Sequence, residues 1–253
     1  MSGAIRKQTV IGIPISLGSF QYHIDHIIGR AERGEGGYVC CVNAHMTVEA
    51  DRDPGFMQVV KGAELATADG MPVLRTLQWV HGVKQERVAG NDLMPALLQE
   101  AEKRNVPVFL YGGKEEVLKR IKQRAQRELP KLNIVGSASP PYRALSEEEF
   151  NADLERIREL GAQLIMVSLG CPKQERWMAR MRPHCNAVMV GLGGAFLLYA
   201  GVDTRAPEWM RDMSLEWMYR LALEPRRLWK RYLVTNSLFL GLMIKERWKR
   251  NRS

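Results

Sequence analysis

The feature that most constrains this chain is a recurring unit: a short apolar run that stops at glycine or a small polar residue and gives way to a helix-like pattern. Tyr38–Val42 leads into Asn43 and a helical stretch from about Met46, and Leu65–Ala68 stops at Asp69-Gly70. Val106–Tyr111 stops at Gly112-Gly113, ahead of the helical Lys114–Leu129. Leu164–Leu169 stops at Gly170, with Pro172-Lys173-Gln174-Glu175 opening the next helix, and Val188–Val190 runs into Gly191-Leu192-Gly193-Gly194. Near-continuous apolar strands alternating with helices predict an α/β fold, a mostly parallel sheet with helices on both faces. Ligands of such sheets bind outside the carboxyl ends of the strands, so Asn43, Asp69, Gly112, Gly170 and Gly191 are expected around one crevice. Thr9–Ile13 reads as a first strand.

A second feature divides the chain. Residues 204–253 hold twelve Lys and Arg against five Asp and Glu, a balance of +7 out of +9 for all 253 residues. Four of the six tryptophans, Trp209, Trp217, Trp229 and Trp248, lie there too. Trp209, Met213, Trp217 and Leu221 recur at four-residue spacing and predict an amphipathic helix, and a second helix is expected from Pro225. The expectation is therefore an α/β domain over residues 1–202 and a basic helical appendage over 203–253. Such a segment suits an anionic partner, and its mixture of cations, Trp and Met suits a membrane surface. A solvated helix packed on the core accounts for the pattern equally well. Nucleic acid is not expected, because no recognisable nucleic-acid motif accompanies the charge. The apolar run Leu233–Ile244 is shorter than the roughly 20 residues a bilayer span requires.

Several short motifs carry less. Cys40, Cys41, Cys171 and Cys185 form no Cys-x-x-Cys pair, which fits a reducing compartment rather than zinc or disulfide scaffolding. Asp51-Arg52-Asp53 matches an Asp-x-Asp metal–diphosphate motif, yet it falls at a helix end. His23-x-x-His26 lacks a third ligand nearby, and His45 stands alone; no metal is expected. Gly191-Leu192-Gly193-Gly194-Ala195-Phe196 approaches a dinucleotide fingerprint but places Phe196 at its last glycine. Asp69 stands out, as a carboxylate at the expected crevice mouth is suited to general-base work or to capping a turn.

Together, Asn43-Ala44-His45, Ala68-Asp69-Gly70-Met71-Pro72, Arg87-Val88-Ala89-Gly90-Asn91-Asp92-Leu93, Gly170-Cys171-Pro172-Lys173-Gln174-Glu175, Gly191–Phe196, Arg205-Ala206-Pro207-Glu208-Trp209 and Glu216–Leu221 resemble the WecG/TagA/CpsF-type bacterial glycosyltransferases. The resemblance implies that residues 1–202 are a Rossmann-like, nucleotide-sugar-binding catalytic domain and 203–253 a membrane-associating C-terminal appendage. It implies inverting, metal-independent transfer from a UDP-sugar to an undecaprenyl-diphosphate-linked sugar, peripherally at the cytoplasmic face of a bacterial cell membrane. Asp69 matches the family's proposed general base. Cys41, Asn43, Arg87, Gly112, Gly170, Gln174, Gly191 and Gly193 are the donor- or acceptor-binding positions expected, with Cys41 where many relatives carry threonine. Arg220 and Arg227 match appendage arginines that close the site over the diphosphate, and Lys230 and Arg231 compete for a third place. No cofactor beyond the UDP-sugar substrate is implied, and a homo-oligomer is compatible with the sequence.

Two other classes of function stay in view. One is a non-enzymatic, membrane- or nucleic-acid-associated module on a nucleotide-binding fold; the other, weakened by Phe196, is an NAD-type oxidoreductase.

Overall fold

The computed structural model describes residues 5–207, 210, 218, 219, 221, 225–250 and 252, and of 225–233 the backbone alone. Its strands are β1 (Lys7–Val10), β2 (Ile13–Ser16), β3 (Gly37–Val42), β4 (Leu65–Ala68), β5 (Val108–Gly112), β6 (Ile134–Ala138), β7 (Leu164–Ser168) and β8 (Val188–Gly191). Six of them form one parallel sheet in the order β4-β3-β8-β7-β5-β6. The helices are α1 (Phe20–Glu32), α2 (Ala44–Arg52), α3 (Pro54–Lys61), α4 (Met71–His81), α5 (Gly90–Lys103), α6 (Glu115–Glu128), α7 (Glu147–Glu159), α8 (Lys173–Met181), α9 (Ala195–Tyr199) and a long α10 (Pro225–Arg250). The fold is the α/β, Rossmann-like arrangement that the apolar runs predict.

The sheet is covered on both faces, and the side-chain alternation of each strand divides the core in two. Tyr38, Cys40 and Val42 of β3, Phe109 and Tyr111 of β5, and Ile165 and Val167 of β7 join the core that also holds residues of α2, α3, α7 and α8. Val39 and Cys41, Val108 and Leu110, and Leu164 and Met166 join the opposite core with α1, α5, α6 and α9. Every residue of β3, β4, β5 and β8 is buried, which is why these strands read as continuous apolar runs. The outer strand β6 is only half-buried and lacks such a run, so the sequence reading passes over it.

At the amino end the structure corrects the single strand expected over Thr9–Ile13. The chain turns at Ile11 and Gly12, whose φ angles are 47° and 80°, and β1 pairs antiparallel with β2. Two consecutive positive φ values at a two-residue loop twist the chain in the sense a tight hairpin requires. The hairpin shields the β4 edge, where Ala66 N donates to Ser16 Oγ at 3.2 Å.

The chain leaves β3 toward β4 on one side and builds β5 to β8 on the other. The winding therefore reverses between β3 and β8, and the crevice above their carboxyl ends is where such a sheet takes its ligand.

Helix α10 packs on α2 and α4 and buries Thr235 and Phe239. Its last turns grip the end of α4: Arg247 donates to Trp79 O at 2.6 Å and stacks over the Trp79 ring, and Arg250 donates to Val80 O. These arginines satisfy carbonyls that a helix C-terminus leaves without intrahelical partners. Glu246 joins His81 at 2.5 Å and accepts from Ile11 N in the hairpin turn. The opposite side of α10 exposes Val234, Leu238, Leu240, Ile244 and Trp248. Among the described residues, no helix is long and apolar enough to cross a membrane. The expected Trp209–Leu221 helix falls mostly outside the described residues; Met210, Met218, Tyr219 and Leu221 are helical.

Candidate active site

Asn43 and Asp69 follow β3 and β4 directly and are brought side by side by the pairing of those strands. Asp69 N donates to Val42 O at 3.0 Å, and a Cβ on Gly70 would meet Asn43 Cβ at 3.3 Å. Asn43 caps α2, its Oδ1 accepting from Met46 N at 3.1 Å. Asp69 is partly buried and precedes α4, whose Gly70 N-cap provides no side-chain cap. Helix α5 likewise starts without one, at Ala89. Pro72 has no N–H and Val73 N donates to Gly70 O at 3.0 Å, so α4 offers the crevice the positive end of its dipole, whereas α5 starts with N–H groups at Gly90 and Asn91.

Cys41 lies under this mouth. It is 5 % exposed, and a Cβ on Gly90 would lie 3.6 Å from its sulfur and 3.4 Å from Leu192 O. Burial, followed by the nearby Asp69 charge, pushes its thiol well above the ordinary range, while a Thr67 side-chain hydrogen bond opposes the shift. Cys41 is thus a neutral thiol in the crevice floor. Thr67 also donates from Oγ1 to Val88 O at 2.8 Å, which ties the Arg87–Ala89 segment to the end of β4.

Arg87 reaches the crevice from that segment, and Nη2 donates to Asp92 Oδ2 at 3.0 Å. Arg205 donates to the other oxygen, Oδ1, at 2.5 Å. One carboxylate on the first turn of α5 therefore holds two guanidinium groups from distant parts of the chain. Sequence reading includes Arg205 and Asp92 in matched motifs but assigns neither to the site. Only their approach in space marks them.

On the other side of β3, α8 contributes Gln174. Its amide lies against the turn after β8: a Cβ on Gly191 would meet Gln174 Nε2 at 3.0 Å, and one on Gly193 would meet Oε1 at 3.6 Å. Gly170 O accepts from Gln174 N at 2.9 Å, so Gly170 sets the start of α8. Gly112 ends β5 at φ 96°, with Ser168 O only 2.3 Å from where a Cβ would stand. Ser168 in turn donates to Gly193 O at 2.9 Å, linking the β7 and β8 ends.

Arg220 lies outside the described residues, and so do the side chains of Arg227, Lys230 and Arg231, whose backbone belongs to α10. The other short motifs have structural positions. Asp53 caps α3 through Phe56 N at 2.9 Å and meets Arg176 at 2.6 Å. His23 is fully buried, and its Nδ1 contacts Ser19 O at 2.8 Å. His26 pairs with Glu64, and His45 pairs with Glu49 along α2. A groove of about 780 Å³ lined by Arg120, Arg124, Arg127, Tyr199 and Gly201 lies between α6 and the end of α9, away from the strand ends. Its lining also holds Glu116, Glu128, Gln123 and Gln126, but none of the residues of the matched motifs.

A comparison with family models matches residues 8–253 to the description "Glycosyl transferase WecG/TagA/CpsF family". With nearly the whole chain matched and the crevice built from the motifs of that resemblance, the protein belongs to the WecG/TagA/CpsF family of glycosyltransferases.

Proposed function

We propose that the protein transfers a sugar of the N-acetylmannosamine, N-acetylmannosaminuronate or glucose type from its UDP ester to an undecaprenyl-diphosphate-linked sugar, with inversion and without a metal, in cell-surface polysaccharide synthesis. The observation that carries this reading is the meeting of partly buried Asp69 with two uncapped helix starts and the Arg87–Asp92–Arg205 cluster. A carboxylate supplies the base, and cations and backbone N–H groups supply charge stabilisation for a departing diphosphate.

In this reading the acceptor hydroxyl gives its proton to Asp69 as its oxygen attacks the anomeric carbon from the face opposite the leaving group. The bond between that carbon and the diphosphate oxygen breaks, and UDP departs with the electron pair. Developing charge on UDP is met by Arg87, by the positive N-terminal ends of α4 and α5, and by the appendage cations Arg220, Arg227, Lys230 and Arg231. Arginine suits this role because its planar fork engages two phosphate oxygens at once. Gln174 and the Gly191–Gly193 turn contact the donor, with Gly112 and Gly170 shaping the neighbouring strand ends. Asn43 lies beside Asp69 toward the acceptor, and Cys41 supports both from below.

Residues 1–202 act as the catalytic domain and 203–253 as the appendage, which docks peripherally on the anionic cytoplasmic face of the cell membrane. Support for docking comes from the exposed apolar side of α10, with Lys245 and Lys249 exposed beside it. The test is UDP release from UDP-N-acetylmannosamine, UDP-N-acetylmannosaminuronate and UDP-glucose, with and without a short-chain lipid-diphosphate-sugar. Acceptor-dependent release from one donor is expected. Binding of UDP with no turnover of any donor would favour the non-enzymatic nucleotide-binding module.

A further inference from the structure

The pair Gln174–Glu175 contains more than the donor-contacting glutamine. Both side chains are buried, at 5 % and 0 % exposure, although they begin a helix at the rim of the crevice. Gln174 Nε2 donates to Glu175 Oε1 at 2.7 Å. Gln174 Oε1 has no hydrogen-bond partner among the described residues. A buried acceptor without a donor has lost its water and gained nothing in return, so such an atom at a ligand crevice marks a place where a ligand completes the bonding.

The orientation follows from the neighbours. An amide beside a carboxyl acceptor turns its N–H₂ toward it, which leaves the amide oxygen for the other direction. That direction is the turn after β8, where Oε1 lies 3.6 Å from a Cβ position on Gly193. The absence of a side chain at Gly191 lets the amide lie flat beneath the turn, since a Cβ there would stand 3.0 Å from Nε2 and 2.9 Å from Met178 Cε. Met178 and Gly191 therefore confine the amide sterically, and Glu175 fixes which end faces out.

We propose that Glu175 is a positioning residue which holds the Gln174 amide with Oε1 toward the Gly191–Gly194 turn, where that oxygen accepts a hydrogen bond from an N–H or O–H group of the bound UDP-sugar. The inference rests on the glycosyltransferase reading given above. It makes this subsite a reader of donor groups rather than acceptor groups, so it favours a hydroxyl or an amide N–H at the position it contacts. Burial raises the Glu175 pKa, and hydrogen bonds from Gln174, from its own backbone and from the Cys171 side chain oppose that shift.

The experiment measures KM and kcat for Glu175→Leu, Glu175→Gln, Gln174→Leu and Gln174→Leu/Glu175→Leu. It uses whichever of the three UDP-sugars wild-type protein consumes, with saturating acceptor. Glu175→Leu is expected to raise the donor KM about tenfold, the equivalent of one lost hydrogen bond, with kcat within about twofold. Glu175→Gln retains an acceptor oxygen and should restore the wild-type KM. Because Glu175 acts through Gln174, the double variant should be no worse than Gln174→Leu alone. An unchanged donor KM in Glu175→Leu overturns the inference, as does additivity of the two single effects. If Glu175→Leu does not fold, a Glu175→Gln protein of wild-type melting temperature and tenfold higher KM also overturns it. Consumption of none of the three sugars by wild-type protein removes the underlying glycosyltransfer reading instead.

Discussion

Arg205 reaches back 113 residues to Asp92, and this one contact fastens the start of the C-terminal segment to the first turn of α5. Asp92 is already engaged by Arg87 at 3.0 Å, so the carboxylate sets the direction of both guanidinium groups. Their side chains are 22–31 % exposed, and solvent discounts the pairing. Asp92→Ala is expected to cost about 1 kcal/mol, lowering the melting temperature by roughly 2–4 °C. Arg87→Ala should instead act on ligand, weakening UDP about tenfold or more for the loss of a charge-assisted bond. Calorimetric titration with UDP checks this; an Arg87→Ala protein with wild-type affinity would remove Arg87 from the diphosphate site.

Asp69→Asn keeps the size of the side chain and removes its basicity. Loss of a positioned general base typically costs 10²–10⁴-fold in rate, so transfer is expected to fall by at least about a hundredfold. UDP affinity should stay within about twofold, because the assigned task is proton removal from acceptor. Full turnover by Asp69→Asn on a lipid-linked acceptor would end the general-base assignment.

Two glycines separate scaffold from site. Gly112 lies in the left-handed region at φ 96°, and an added Cβ would collide with a backbone oxygen 2.3 Å away. Gly112→Ala is therefore expected to destabilise by about 3 kcal/mol, roughly 6–12 °C in melting temperature. At Gly191 the colliding atoms are the ends of Met178 and Gln174, which can shift. Gly191→Ala should lose less stability and more donor affinity, because the shift displaces the amide that contacts the donor. Thermal melts paired with UDP-sugar KM values distinguish the two effects.

The fold was legible because parallel strands buried on both faces leave uninterrupted apolar runs, and Asn43, Asp69 and Gly191 could be located at their ends by counting. The hairpin was not, because Val10, Ile11 and Ile13 read as one apolar run and only the φ angles of Ile11 and Gly12 divide it. β6 was missed because an outer strand has less reason to be apolar. Asp92 and Arg205 were invisible as a pair, since nothing in local spacing links positions so far apart. Glu175 reads as an ordinary first-turn helix acid, and only its complete burial distinguishes it.

Glu175 also predicts a pH dependence of stability. In the unfolded chain it titrates near the ordinary value of 4.5, whereas burial raises its pKa in the folded protein. A carboxyl raised on folding contributes stability below its unfolded pKa and loses that contribution as pH rises through the folded value. Glu175→Gln removes the titration. Its stability relative to wild type should therefore be constant below pH 4.5 and increase above it, as denaturant melts across that range would register. A stability difference independent of pH would mean that Glu175 titrates alike in both states.

Deletion of the appendage would remove structure and chemistry together. Removing residues after about Val202 is expected to abolish transfer, because it takes Arg220 and Arg227 with it. The same deletion also removes Phe239 from the core and Glu246 from His81, so it strips cover from α2, α4 and the hairpin. Substitutions on the outer side of α10 avoid that ambiguity. Leu238, Ile244 and Trp248 are 37 %, 52 % and 61 % exposed, so their replacement leaves the inner packing in place. Leu238→Ser/Ile244→Ser/Trp248→Ser should lower the melting temperature by no more than about 3–6 °C, as each exposed substitution usually costs under 0.5 kcal/mol. Binding to vesicles of phosphatidylglycerol and phosphatidylethanolamine should fall at least tenfold, because several apolar side chains lose their burial in lipid. Turnover of a water-soluble short-chain acceptor should persist. Wild-type vesicle binding by the triple variant would exclude this side of α10 as the membrane-facing surface.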